Sequence, residues 1–126
     1  MVMTDPIADL LTRIRNANAM RYEKVLVPIS NLKIQILEIM KKEGFIRNFL
    51  LDSNKKNIII QLKYDLITKE CAIKGLRRVS QYVTVRNIPQ VFNGFGVALI
   101  STSKGILTNY EALSSRIGGQ VLALIW

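Results

Sequence analysis

Five consecutive residues, Ser101-Thr102-Ser103-Lys104-Gly105, bring together three hydroxyls, one ammonium and one residue without a side chain. Hydroxyls both donate and accept, the ammonium supplies a point charge, and glycine lets a backbone come close. The set therefore suits phosphate and sugar oxygens. Apolar residues flank it, positions 97–100 before and Ile106-Leu107 after, so a buried strand is expected to deliver the cluster to a loop. An ordinary strand end capped by serines has the same composition. On these residues alone both readings stay open.

The charge distribution bears on that choice. The 126 residues carry 18 Lys/Arg against 9 Asp/Glu, a formal net charge of +9. No acidic residue falls between positions 71 and 110, whereas Lys74, Arg77, Arg78, Arg86 and Lys104 do. A solvated face normally mixes signs, and acids serve solubility better than bases, so the segment reads as a surface for phosphates. Tyr82 lies inside it. An aromatic among arginines can stack on a base or ribose, and it can equally be a half-buried strand residue.

Other chemistries lack their residues. With no His, the His-based triads and His-zinc sites are excluded. The single Cys71 excludes an internal disulfide and any multi-cysteine metal site. The nine acids are dispersed, without metal-ligand spacing, so neither an enzyme nor a bound cofactor is expected. Apolar runs such as 58–60 have strand length and are too short to span a bilayer, so no membrane partner is expected. The first residues resemble neither a secretory signal nor an organellar presequence. The protein is therefore expected to work in the compartment where it is made.

Several elements must hold the cluster in place. Asp5 caps a first helix, Pro6 fits its first turn, and Ile7, Leu10, Leu11 and Ile14 form one apolar stripe. Arg13 and Arg15 flank that stripe and Asn16 lies opposite, either as a solvated helix back or reaching a nucleic-acid backbone. A strand over 24–28 stops at Pro28, and Ser30 caps a second helix. The second stripe is Leu32, Ile36, Ile39 and Met40, widened by Ile34 and Leu37. Gly44 ends that helix. Lys33 sits in its first turn, where a cation is mildly unfavourable, which makes it a candidate for an external anion. Strands at 46–51 and 58–64 form a hairpin, and the polar segment 65–70 crosses between two halves. A new strand begins at 71–73 and continues over 76–85. Thr108 and Glu111 make a capping box for a short helix, Gly118-Gly119 breaks it, and 120–126 is a last apolar strand. The expected fold is α+β, two small and closely packed α/β subdomains. Residues 1–66 form an α-β-α-β-β unit, and residues 67–126 a mostly antiparallel sheet with a short helix.

These residues resemble a known family, the eighth small-subunit ribosomal protein family of bacterial type. The resemblance is carried by residues 4–17, Lys41-Lys42-Glu43-Gly44-Phe45-Ile46, Gly75-Leu76-Arg77-Arg78-Val79-Ser80, residues 101–108 and Gly118-Gly119-Gln120-Val121-Leu122. It implies a primary rRNA-binding protein that binds the central domain of small-subunit rRNA and helps the platform fold. It also implies neighbouring small-subunit proteins as partners, a monomeric state within the ribosome and, in some members, repression of its own mRNA. By that resemblance Ser101, Thr102 and Ser103, with Lys104 and Gly105, contact an irregular rRNA internal loop. Tyr82 is the family's strand tyrosine, and Arg77 and Arg78 join it. Thr4, Asp5 and Pro6, with Arg13, Arg15 and Asn16, meet a second rRNA segment. The implied location is the ribosome of a bacterial cytoplasm or, alternatively, of a plastid or other organelle. A module that binds only mRNA shares the basic surface and remains the alternative. There are two departures. About five residues of the hairpin that usually precedes the tyrosine are missing, and the usual Gly-Gly-Glu is Gly118-Gly119-Gln120, so an amide must re-form any bonds of the acid.

Overall fold

The first helix starts where its cap requires. In the computed structural model, which describes residues 5–91 and 94–126, the Asp5 carboxylate accepts from the Ala8 amide at 3.1 Å. Helix α1 runs Pro6–Ala19 from that cap and buries Ile7, Leu10, Leu11, Ile14 and Ala17. Helix α2, Asn31–Lys42, begins with the Ser30 hydroxyl accepting from the Lys33 amide at 3.2 Å. It is closed by Gly44 in the left-handed region, φ 82. Strands β1 (Lys24–Pro28), β2 (Ile46–Leu51) and β3 (Asn57–Leu62) form an antiparallel sheet in the order β1-β3-β2. Alternate residues of β3, Ile58, Ile60 and Leu62, are buried, so one face of this sheet is apolar and closed. Each such aliphatic side chain contributes about 1.5–3 kcal/mol on burial.

Four expectations for this half are corrected. The buried row of α2 is Lys33, Ile36, Leu37 and Met40, while Leu32, Ile34 and Ile39 are only half-buried. Lys33 is 6 % exposed and its ammonium donates to the Pro28 carbonyl at 3.2 Å. Its stem fills a core position while its head closes the end of β1, so the cation is used internally. Residues 65–70 do not cross between halves. Asp65 accepts from the amides of Ile67 at 2.8 Å and Thr68 at 2.9 Å, and its own amide donates to the Glu70 carbonyl at 2.8 Å. The segment folds back on itself, and Tyr64 and Cys71 pair across its neck as an isolated bridge rather than opening a strand.

Tyr64 also ties this neck to the end of α1, its phenol donating to the Tyr22 carbonyl at 2.5 Å. Burial, aided by the neighbouring Cys71 and Glu23 charges and opposed by Arg21, raises its pKa above the ordinary 10.0. The folded protein thus holds this proton more tightly than the unfolded chain does. The stability so gained is complete below pH 10 and is lost as pH rises through the folded pKa. Titration by phenolate absorbance is expected to show one tyrosine ionising late, and Tyr64→Phe to remove that component. An unchanged titration curve in the variant contradicts the assignment.

The chain divides into two compact units, Met1–Ile73 and Lys74–Trp126. The second is a four-stranded antiparallel sheet in the order β4-β7-β5-β6. Its strands are β4 (Leu76–Val83), β5 (Val97–Thr102), β6 (Gly105–Thr108) and β7 (Gly119–Ile125), with helix α3 (Asn109–Ser114) between β6 and β7. Strand β4 ends at Val83, before the expected position 85, because a single 3-10 turn occupies Val85–Asn87. The capping box forms as expected, the Thr108 hydroxyl accepting from the Glu111 amide at 3.2 Å and Glu111 reaching back to the Thr108 amide at 3.3 Å. Val91, Ala98, Ile100, Ala112 and Val121 make one buried cluster of this unit, with Val79, Leu107, Leu124 and Trp126 packed on it, and Val97, Leu99, Ala123 and Ile125 are buried as well. Helices with two antiparallel sheets give the α+β class expected from sequence.

Candidate nucleic-acid interface

The hydroxyl cluster is a hairpin tip rather than a loop. Ser101 and Thr102 still belong to β5, Gly105 opens β6, and Thr102 pairs with Gly105, which leaves only Ser103 and Lys104 in the turn. Neither of these two has a positive φ; Gly105, at φ 105, adopts the conformation that closes the hairpin. The three hydroxyls consequently differ in role. Thr102 donates to the Gly105 carbonyl at 2.7 Å and accepts from the Lys104 amide at 3.1 Å, so it pins the turn from within. Ser103 and Lys104 are exposed at the tip, and Ser101 is half-buried at the strand end.

Sheet register places Ser101 in a longer row. Tyr82 on β4 pairs with Gln120 on β7, and Gln120 pairs with Ser101 on β5. Directly paired residues share a face, so the three side chains line one face at strand spacings of about 4.8 Å. Tyr82 is 80 % exposed. Gln120 donates through Nε2 to the Ser80 hydroxyl at 2.9 Å, a bond that a carboxylate at this position could make only by accepting. The row depends on Gly118 and Gly119. A Cβ on Gly118 would lie 2.5 Å from the Val83 carbonyl oxygen, and one on Gly119 would fall on the Ser101 carbonyl.

The two arginines of β4 separate in function. The pairing of β4 with β7 slips between Arg78 and Gln81, which marks a bulge. Arg78 donates to the Leu122 carbonyl at 2.6 Å and to the Val79 carbonyl, holding the strands together at the slip. Its guanidinium thus has a structural task that sequence did not reveal. Arg77 is exposed and lines a groove of about 320 Å³ with Tyr82, Gln81 and Asn87.

The remaining candidates belong to the N-terminal unit. Asp5 and Pro6 are the cap and first residue of α1, while Thr4 lies outside the described residues. Arg13 pairs with Asp9 at 3.1 Å and donates to the Leu26 carbonyl at 3.2 Å, and Arg15 and Asn16 are exposed on the same helix. Sequence reasoning passed over Ser80 and Gln120 as part of the hairpin face. Strand register links Gln120 to Tyr82 and Ser101, a side-chain hydrogen bond links Ser80 to Gln120, and the one local signal was the polar residue directly after Gly118-Gly119.

A comparison with known families decides the kinship. The family model described as Ribosomal protein S8 matches residues 5–126. The chain belongs to the ribosomal protein S8 family. As an S8 protein it is a structural constituent of the ribosome and not an enzyme. It is 60 % identical to small ribosomal subunit protein uS8 of Onion yellows phytoplasma (strain OY-M) and 56 % identical to that of Acholeplasma laidlawii (strain PG-8A). Identity to the uS8 of Geobacillus kaustophilus (strain HTA426) is 51 %, and each of these alignments covers the whole of both chains. The phytoplasma alignment spans 131 positions against 126 residues here, so five positions have no counterpart in this S8 chain. Strand β4 runs unbroken from Leu76 to Val83, with a bulge and no hairpin inside it.

Proposed function

We propose that this S8 chain binds the central domain of small-subunit rRNA early in assembly, beside neighbouring small-subunit proteins, and helps fold the platform. The hairpin face of the C-terminal unit is its specific contact. One observation carries the proposal: Tyr82, Gln120 and Ser101 stand in one cross-strand row, with Ser103 and Lys104 exposed on the hairpin of β5. This unit holds six Lys/Arg and a single acid, and that acid, Glu111, is engaged in the helix cap. A-form RNA hides its base edges in a deep major groove, so proteins read shape, 2′-hydroxyls and distorted loops. Short hydroxyls and an amide reach such groups at low entropic cost, a tyrosine stacks on an unpaired base, and the surrounding cations release counterions. The exposed Arg15 and Asn16 of α1 meet a second rRNA segment. The uS8 relatives are bacterial, which supports action on a ribosome in bacterial cytoplasm.

Filter binding of a central-domain rRNA fragment at several salt concentrations tests this. Ser103→Ala is expected to weaken binding by about 1–3 kcal/mol at an unchanged salt slope, because a neutral polar contact is lost. Lys104→Ala is expected to lower the slope by about one phosphate contact. Wild-type affinity that is equal for a scrambled fragment, or an unchanged slope in Lys104→Ala, overturns the assignment.

A further inference from the structure

The N-terminal unit has a second cationic feature, built from residues that no argument above has used for binding. At one end of its sheet lies a cleft of about 490 Å³ lined by Arg21, Lys24, Arg47 and Lys69, with Tyr64 and Leu66 in its wall. Two acids also line it, Glu23 and Asp65. One oxygen of Asp65 accepts from the Ile67 and Thr68 amides of its own turn, at 2.8 and 2.9 Å, and the four cations outnumber the two acids. Arg21 is held in place from its back. Its guanidinium sits 6.0 Å from the Tyr64 ring centroid, and Nη1 donates to the Lys69 carbonyl and to Cys71 Sγ, the latter at 3.4 Å. Both bonds use one nitrogen, and among the described residues Nε and Nη2 have no partner. A positioned guanidinium fork is suited to a phosphate. Beside it Leu66 is 79 % exposed, on a turn made rigid by the Asp65 bonds. Cations alone would suit any small anion, but the apolar wall beside them calls for a ligand that carries flat or aliphatic surface next to its charge. The volume is that of a site for a single small ligand.

We infer that this cleft seats one nucleotide of an unpaired RNA segment, its phosphate on Arg21, Arg47 and Lys69 and its ribose or base against Leu66. The inference does not rest on the hairpin face, which uses other residues in the other unit.

The test is a titration of the full chain followed by nitrogen-15 NMR at Arg21, Leu66 and Lys69, using a short oligouridylate, inorganic phosphate and an oligoglutamate peptide. Saturable shifts with oligouridylate are expected, at least about tenfold tighter than with inorganic phosphate. The shifts should vanish in the R47E/K69E variant and persist in Tyr82→Ala, which damages only the hairpin face. Leu66→Ala, at an exposed side chain, should weaken oligouridylate and leave inorganic phosphate unchanged, and it keeps the test decisive if the charge reversal misfolds. Three results overturn the inference: phosphate binding as tightly as oligouridylate, which makes this a plain anion site; oligoglutamate binding as tightly, which makes it a protein-docking face; or no shift at these residues.

Discussion

Gly119→Ala is expected to lower the stability of the C-terminal unit by about 1–3 kcal/mol, the usual range for overpacking, and to weaken RNA binding with it. The added methyl would fall on the Ser101 carbonyl oxygen, with Ile100 also within 3.2 Å. A carbonyl fixed in a ladder cannot rotate aside as a side chain does. Either β5 or β7 must therefore move, and the pairing of Gln120 with Ser101 moves with it. Stability and affinity fall for the same geometric reason, although Gly119 itself presents no group to RNA. Urea unfolding followed through the only tryptophan, Trp126, measures the first effect and filter binding the second. Gly94→Ala is the control. Among the described residues nothing lies within 4 Å of its added Cβ, while its φ of +95 disfavours a side chain, so it should cost stability and spare binding. If Gly119→Ala matches wild type in both assays, the close strand approach is not what builds the face.

What sequence made legible was local. The caps at Asp5, Ser30 and Thr108 each need one polar side chain three residues before an amide, and all three form as read. The end of α2 at Gly44 is equally local, since only a residue tolerant of positive φ fits there. Lys33 was misread because α2 has six apolar positions spread over half its circumference, and periodicity could not say which row is deepest. A lysine stem long enough to reach the Pro28 carbonyl then took a core place. Arg78 was hidden by the bulge of β4, which shows only once β7 is laid beside it. The hairpin tip lacked the Asn-Gly signature of tight turns, and its closure depends instead on Thr102 and Gly105. Most of the candidate face was out of reach for one reason. Tyr82, Ser101 and Gln120 are far apart in sequence, and a shift of one residue in register would turn any of them to the opposite side. Alternation along a strand says which residues share a side of that strand, not which side of its neighbour they meet.

Tyr82→Ala is expected to weaken binding of the central-domain fragment by about 1–3 kcal/mol, the range for loss of one aromatic–base stack. The side chain is 80 % exposed, and it is not among the residues packed on the buried cluster of Val91, Ala98, Ile100, Ala112 and Val121. Removing it therefore costs little folding energy, and the thermal midpoint should stay close to wild type. That separation makes the variant informative. A structural tyrosine would lower stability and affinity together, whereas a stacking tyrosine lowers affinity alone. Tyr82→Phe should keep nearly all of the affinity, because stacking uses the ring and not the hydroxyl. The salt slope should be unchanged in both variants, since neither alters a charge. Its neighbours sharpen the test further. Gln120 and Ser101 continue the same row, so Gln120→Ala combined with Tyr82→Ala should cost less than the sum of the two single losses if both contact one RNA feature. Binding of Tyr82→Ala at wild-type strength would remove stacking from the account and leave the hydroxyls and cations of the hairpin to carry recognition alone.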